Sequence, residues 1–157
     1  MNYGQYQSPL GPLLLAWEED GLRGLWMNRE LPAQNCPLPE PVKQWLDAYF
    51  DGHPGEIAFP LKPEGTDFQK QVWQLLLTIP YGQTRSYGAI AREMAVLTGK
   101  TNMSAQAVGQ AVGKNPISIL IPCHRVVGSK GQMTGYAGGL PNKIWLLEHE
   151  SRKKTAG

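Results

Sequence analysis

Residues 86–113, which read SYGAIAREMAVLTGKTNMSAQAVGQAVG, decide the fold of the second half of the chain. A helix is predicted to begin after the N-cap Ser86 and to break near Gly99, with an apolar face made of Tyr87, Ile90, Ala91 and Met94. A second helix is predicted from about residue 103 to residue 112, with Gly113 as its stop. Two helices joined by a short polar turn are the outline of a helix-turn-helix unit.

The second of these helices has an unusual composition, because nearly every position outside its apolar core is Ala, Gly or Gln. Side chains this small would let the helix backbone approach the groove of a nucleic acid, and the helix N-terminus would offer free N–H groups to a phosphate. Tight packing against a neighbouring helix explains the same composition equally well. The candidate phosphate contacts are Lys70, Arg85, Arg92, Lys100, Lys114 and Arg125.

Upstream of this unit, a buried amphipathic helix is predicted behind a Thr66 and Asp67 cap, and it ends before Pro80. Its apolar residues recur at three- and four-residue spacing: Phe68, Val72, Leu75, Leu76 and Ile79. Proline-rich stretches at 31–41 and 52–65 cannot be regular helix or central strand. They mark the boundary between two parts of the chain.

The part before this boundary is predicted to be a small sheet with one helix. Residues 11–17 and 21–27 predict two short strands joined by a turn, and residues 41–51 predict the helix. The fold class is therefore α/β (α+β), with an N-terminal scaffold domain over 1–65. A helical, winged helix-turn-helix-like domain follows over 66–157 and carries the recognisable chemistry.

Composition and charge restrict the classes of protein to which this chain can belong. The 157 residues are 41% apolar and 18% charged, which excludes a disordered, collagenous or disulfide-stapled chain. With no membrane-length apolar run and no signal peptide, a soluble, cytoplasmic protein is expected. Residues 1–65 hold four cations and nine acids, whereas residues 66–157 hold eleven cations and four acids. The basic half is expected either to meet a polyanion, most commonly phosphate backbone, or to be a solvated surface.

The apolar run at 117–121 is predicted to be a strand, and the sequence Pro-Cys-His-Arg at 122–125 lies at its end. A cysteine between a rigid proline and an imidazole is a candidate activated nucleophile, since the thiolate is the reactive form. The alternative is a buried cysteine that packs as a small hydrophobe. Glu150 beside His149 offers a carboxylate that could orient an imidazole in a nucleophile–base–acid relay. Cys36 lies in a proline-rich segment, which predicts an inert exposed loop, and no spacing suggests a disulfide or a metal site.

Four segments of the chain resemble the O6-alkylguanine-DNA alkyltransferase family: Asn115, PCHRVVG at 122–128, GYAGG at 135–139 and WLLEHE at 145–150. The resemblance is clear from about residue 66 to residue 151. Over the N-terminal part it rests on general architecture alone and implies a ribonuclease H-like domain.

What the resemblance implies is a single-turnover DNA repair protein that flips an alkylated guanine out of the duplex. Cys123 would accept the alkyl group as a thioether, with no cofactor and no metal. His124 would ionise Cys123 through a water, and Glu150 would orient His124. Asn115 would hold the turn that positions the thiol, and Tyr87 would donate a hydrogen bond to the leaving guanine.

The resemblance also implies a base pocket and a DNA surface. The N–H of Ala137 and the carbonyls of Cys123 and Val126 would read the base edge, while Tyr136 and Met133 would line the alkyl pocket. Double-stranded DNA would be bound through its minor groove by a monomer, with cooperative binding left open. The implied DNA-binding residues are Ser86, Ser104, Ala105, Gln106, Ala107, Gly109, Lys114 and Arg125.

Three features depart from the family pattern. Gln106 stands where the family places an intercalating arginine, which predicts weaker DNA affinity or slower flipping rather than lost chemistry. The loop predicted at 95–102 is longer than the usual turn. Ser118 stands where some members have proline, so the tolerance of bulky adducts stays open. The choice between O6-methylguanine and O4-methylthymine stays open as well.

The sequence disfavours two other functions. A non-catalytic protein that recognises alkylated bases is disfavoured by Cys123, because such relatives usually replace the cysteine with tryptophan. A cysteine hydrolase using Cys123 and His124 lacks any oxyanion-hole signature, and adjacent residues on a strand end point apart.

Overall fold

The N-terminal part of the computed structural model is a three-stranded antiparallel meander of β1 (Asn2–Ser8), β2 (Gly11–Glu18) and β3 (Gly21–Trp26). The structure describes residues 1–100, 103–132, 136 and 138–156, the last four of these by backbone alone. The predicted strands β2 and β3 are confirmed. β1 was not predicted, because its sequence NYGQYQS is polar and Gly4 is its only buried residue.

One helix follows the sheet, as predicted. Helix α1 (Glu40–Phe50) begins after Pro39 and places Pro41 in its first turn, where a missing N–H costs nothing. Its buried face consists of Val42, Trp45, Leu46 and Tyr49. This face packs in the same hydrophobic core as the sheet.

Of the next three helices, the first two begin at the predicted caps. Helix α2 (Asp67–Leu76) has a full capping box between Thr66 and Gln69. Hydrogen-bonded turns continue from its end through Ile79, directly before Pro80. Helix α3 (Tyr87–Thr98) begins at the cap Ser86 and stops at Gly99, which has φ +70°. Helix α4 (Ala105–Gly113) is capped by Ser104, so it begins two residues later than predicted.

The predicted long loop at 95–102 is therefore wrong in its first half, because α3 continues as helix through Thr98. No proline or glycine interrupts residues 95–98. The helix extends until Gly99 adopts the left-handed conformation that ends it.

The predicted strand at 117–121 is also wrong. Ile117 makes only an isolated bridge to Leu25, and Ile119 has φ +71°, which breaks any extended run. Tight turns follow, with the N–H of Leu120 donating to Ser118 and that of Cys123 to Ile121. The chain then forms a 3₁₀ turn over Cys123–Arg125 and a short strand β5 (Val126–Val127), parallel to β4 (Arg85–Ser86).

The outer edge of β3 joins the two parts of the chain. Leu22 pairs with Leu61 of the proline-rich segment, and Leu25 pairs with Ile117 just before the 3₁₀ turn. Buried apolar side chains from both halves form one continuous core, which α5 (Leu140–Ala156) completes through Leu146. Within the described part of the chain, none of the helices has the length and apolar character needed to cross a membrane.

Candidate active site

Cys123 opens the 3₁₀ turn and lies 4% exposed at the meeting point of both halves of the core. The backbone before it is held by Asn115, which is buried. The Asn115 amide donates to the carbonyls of Ile121 at 2.8 Å and Ile117 at 3.3 Å, and its Oδ1 accepts the N–H of Ile117 at 3.0 Å. One side chain thus closes the turn that precedes the thiol.

Glu150 is the centre of the buried polar network behind Cys123. Its Oε2 accepts from His124 Nε2 at 2.6 Å and from the Tyr49 hydroxyl at 2.7 Å. Its Oε1 accepts from Arg125 Nε at 2.8 Å and from the N–H of Gly82 at 3.1 Å. Burial alone would raise the pKa of Glu150, but the hydrogen bonds of His124 and Arg125 and the positive charge of Arg125 hold that pKa well below its usual range. The carboxylate is therefore ionised.

His124 is completely buried, and its two ring nitrogens differ. Because ionised Glu150 only accepts hydrogen bonds, Nε2 carries the proton and Nδ1 carries the lone pair. Nδ1 is buried with no hydrogen-bond partner in the part of the chain that the structure describes. Burial lowers the pKa of His124 despite the opposing effect of Glu150, so the ring is neutral near pH 7. His124 directly follows Cys123 in the chain, and a neutral imidazole held by a carboxylate can act as a general base.

Arg125 does not face solvent, and its predicted contact with DNA is wrong. The side chain is 9% exposed and forms an ion pair with Glu150 through Nε and Nη2, the latter at 3.1 Å. Its Nη1 donates to the carbonyl of Ile79 at 2.7 Å. The guanidinium is directed inward because it supplies the counter-charge that a buried carboxylate requires.

The surroundings of the thiol act on its ionisation in opposite directions. Burial raises the pKa of Cys123, whereas Asn115, Tyr136 and the charge of Lys143 lower it. The net shift is upward, so the resting group is a thiol that needs a base. The Tyr136 ring lies edge-on to His124 with centroids 6.5 Å apart.

Lys143 is a site residue that the sequence analysis missed. It is 1% exposed, donates from Nζ to the carbonyl of Val126 at 2.7 Å and lies 6.0 Å from the Tyr87 ring. Burial lowers the pKa of Lys143. Its spacing from Glu150, seven residues along α5, places both on one helix face, and this spacing was the available signal.

Tyr87 and Gly109 lie at the contact between α3 and α4. Tyr87 is the first residue of α3, and a Cβ added to Gly109 would lie 3.7 Å from its ring. Val108, Ala111 and Val112 on α4 are buried. Close helix packing therefore accounts for part of the small-residue composition, and Gly109 packs beside Tyr87.

The other face of α4 is open to solvent. Ser104, Ala105, Gln106 and Lys114 are exposed, and Ala107 is partly exposed. The expectation of free N–H groups at this helix N-terminus is wrong for Gln106 and Ala107, because both donate to Ser104 Oγ. Ser86 similarly caps α3 by accepting from the N–H of Ala89. None of these side chains belongs to the Glu150 network.

Several predicted residues lie elsewhere. His149 donates from Nε2 to the Tyr49 carbonyl at 2.9 Å and stacks on Trp145, so it does not pair with Glu150. Cys36 is a free, partly buried thiol near β1 rather than an exposed one. Arg85 pairs with Glu93. Met133 and Ala137 lie outside the described residues.

Two family models together match most of the chain. The ribonuclease-like domain of 6-O-methylguanine DNA methyltransferase matches residues 1–63, and the DNA binding domain of the same family matches residues 67–152.

Individual relatives match over nearly their full length. The methylated-DNA–protein-cysteine methyltransferase of Methanosarcina barkeri is 46% identical, with 96% of this chain and 97% of the relative covered. That of Mycobacterium leprae is 47% identical, with 93% and 90% covered. The crystal structure of Mycobacterium tuberculosis OGT in complex with DNA superposes with a TM-score of 0.85 at 43% identity, covering 98% of this chain and 94% of that one.

Proposed function

The chain belongs to the 6-O-methylguanine DNA methyltransferase family, and from this premise we propose that it repairs alkylated DNA by accepting the alkyl group of O6-alkylguanine on Cys123. The observation that carries the proposal is the arrangement of Cys123, His124 and Glu150. A buried thiol follows the Asn115-held turn, and next to it lies a neutral imidazole whose second nitrogen is bound by an ionised carboxylate.

The first step is ionisation of the thiol. His124 Nδ1 takes the Cys123 proton through a water, and Glu150 stabilises the imidazolium that forms. The buried, unpaired lone pair on Nδ1 supports this role. Because burial favours the neutral thiol, the positive charge of Lys143 and the Asn115 and Tyr136 side chains favour the thiolate at the moment of reaction.

The second step is an in-line displacement. The Cys123 sulfur forms a bond to the alkyl carbon while the carbon–O6 bond breaks. The electron pair of the broken bond stays on the guanine O6. Tyr87 donates a hydrogen bond to the leaving base, and the proton lost by the thiol ends on the restored guanine. The thioether has no good leaving group, so each molecule reacts once, and these steps require no cofactor.

Recognition of the base uses the backbone around the thiol. The carbonyls of Cys123 and Val126 and the N–H of Ala137 read the base edge, and Tyr136 and Met133 line the alkyl pocket. The bond from Lys143 Nζ supports this assignment, because it holds the Val126 carbonyl in place. A carbonyl has two lone pairs, so Val126 retains one for a base.

DNA is bound through its minor groove by the exposed face of α4, with Gln106 filling the place of the flipped nucleotide. Support comes from the solvent exposure of Ser104, Ala105, Gln106, Ala107 and Lys114. The relative from Mycobacterium tuberculosis was crystallised with DNA. Residues 66–157 then form the DNA-binding and transfer domain, residues 1–65 the ribonuclease H-like domain, and the protein acts as a monomer on cytoplasmic DNA.

The test is intact-mass and peptide analysis after mixing the protein with a duplex that carries one O6-methylguanine. One added methyl group on Cys123, with guanine restored, is expected for the wild type and for the matched control Cys36→Ser. Cys123→Ser should bind the duplex without any mass change. A methyl group on Cys36, or transfer by Cys123→Ser, contradicts the assignment. Tight wild-type binding without transfer would instead identify a non-catalytic lesion-recognition protein.

A further inference from the structure

Asn28, at the end of β3, bonds directly to the segment that leads into α5. It has φ +56°, one of two positive φ values among the described non-glycine residues. Its amide Nδ2 donates to the carbonyl of Gly138 at 2.8 Å, across 110 positions of sequence. The same carbonyl accepts a second amide, Asn142 Nδ2, at 2.9 Å. The N-terminal sheet therefore holds one end of the active-site segment.

The Gly138 carbonyl lies between two groups of the site. The N–H of Gly139 donates to the Tyr136 carbonyl at 2.9 Å, which forms a turn. The carbonyl of Gly139 then accepts the N–H groups of Asn142 and Lys143, each at 3.1 Å, and this begins α5. Any shift of Gly138 thus moves Tyr136 on one side and Lys143 on the other.

Close packing reinforces these hydrogen bonds. A Cβ added to Gly138 would lie 2.7 Å from Met27 Sδ and 2.9 Å from Tyr136 Cε2. Met27 is buried in the common core. The end of β3, Gly138 and the Tyr136 ring are therefore in direct contact, with no space for independent movement.

We propose that Asn28 is a positioning residue for alkyl transfer. By holding Gly138, it keeps the Tyr136 ring and the Lys143 charge against Cys123, so the N-terminal sheet contributes to the chemical step. This inference rests on the proposed function, because it assigns Asn28 to the same site. Asn28 acts through Gly138 and does not touch the reacting atoms.

The backbone conformation of Asn28 allows sharply matched variants. Asn28→Gly tolerates φ +56° and deletes only the side chain, whereas Asn28→Asp keeps the shape and sets a carboxylate against a carbonyl. Asn142→Ala removes the second donor to the same carbonyl. Tyr6→Phe is the control, because it removes a hydrogen bond to Asp47 in the N-terminal half, away from Gly138.

The assay measures the single-turnover rate of methyl transfer at saturating duplex, and separately the Kd for the duplex, far below the melting temperature. Asn28→Gly should slow transfer about tenfold, as expected for one lost hydrogen bond at the site. Asn28→Asp should be slower still. The Kd should stay within about twofold in both variants, because Asn28 acts through Gly138 on the chemical step and not through the exposed face of α4.

Further comparisons separate positioning from stability. In Asn28→Gly, the rate of benzyl transfer from O6-benzylguanine should fall by a different factor from the rate of methyl transfer, because the pocket wall has moved. Tyr6→Phe should leave both rates unchanged. An Asn28→Gly rate equal to wild type overturns the proposal, as does an equal loss in Tyr6→Phe. If the wild type itself transfers no methyl group, the proposed function is wrong. A failure of the proposed function is therefore distinguishable from a failure of the positioning role of Asn28.

Discussion

Replacing Glu150 with glutamine removes the charge on which five hydrogen bonds converge. Two come from Arg125, and the others come from His124, Tyr49 and Gly82. A glutamine has a single acceptor oxygen, and its NH₂ group would face donors. The variant Glu150→Gln therefore leaves the Arg125 guanidinium buried without its counter-charge.

The expected cost follows from this geometry. Removing one partner of a buried ion pair destabilises a protein by about 3–5 kcal/mol. For a chain of this size each kcal/mol lowers the melting temperature by about 2–4 °C, so Glu150→Gln should melt about 6–20 °C below wild type. Arg125→Met should cost a similar amount, because it leaves the Glu150 carboxylate unpaired.

The double variant tests whether the cost arises from the unpaired charge. Glu150→Gln combined with Arg125→Met buries no net charge, so its loss should be smaller than the sum of the single losses by about 2 kcal/mol. Urea unfolding of the wild type, both single variants and the double variant gives the four free energies of unfolding. Losses that add to within about 0.5 kcal/mol would refute the reasoning.

The same carboxylate predicts the acid side of the stability profile. The folded pKa of Glu150 is held below its unfolded value of about 4.3, so its contribution is present above that pH and is lost as the pH falls. Glu150→Gln should therefore lose less stability than wild type between about pH 5 and pH 3. Parallel acid profiles for the two proteins would contradict the predicted role of Glu150.

Asn115→Ala should lower the melting temperature by about 5–10 °C, because it removes three buried bonds to Ile117 and Ile121; an unchanged value by calorimetry would show that the turn holds without it. Gly99→Ala should cost about 1 kcal/mol in urea unfolding through backbone strain alone, since no atom lies within 4 Å of the added Cβ; a stabilised variant would contradict the left-handed cap. Gln106→Arg should tighten duplex binding and steepen the slope of log Kd against log salt by about 0.9. An unchanged slope would place residue 106 away from phosphates.

Local patterns predicted helices α1 to α4. The caps Thr66, Ser86 and Gly99 lie where the sequence placed them, because a cap acts on the backbone within a few residues of itself. The resemblance to the alkyltransferases, based on the segments around residues 115–150, is confirmed by the family matches. The mixed α/β fold class is confirmed as well.

Errors arose where a residue's conformation depends on a distant partner. Residues 117–121 have the apolar pattern of a strand, but the bonds from Asn115 and the pairing of Ile117 with β3 turn them instead. Arg125 has the charge of a DNA contact, yet Glu150 draws it inward from 25 positions away. Edge strand β1 has no hydrophobic alternation, so its pairing with β2 could not be read.

The sequence by itself determined the helical segments, their caps and the presence of a cysteine–histidine pair, because these depend on neighbouring side chains along the chain. Only the tertiary structure decided which groups surround Cys123. Glu150 and Lys143 come from α5 and Tyr49 from α1, and Asn28 meets Gly138 from the N-terminal half. The burial of the ion pair between Glu150 and Arg125 depends on how the two halves pack around one core. That packing is set by contacts across the whole chain.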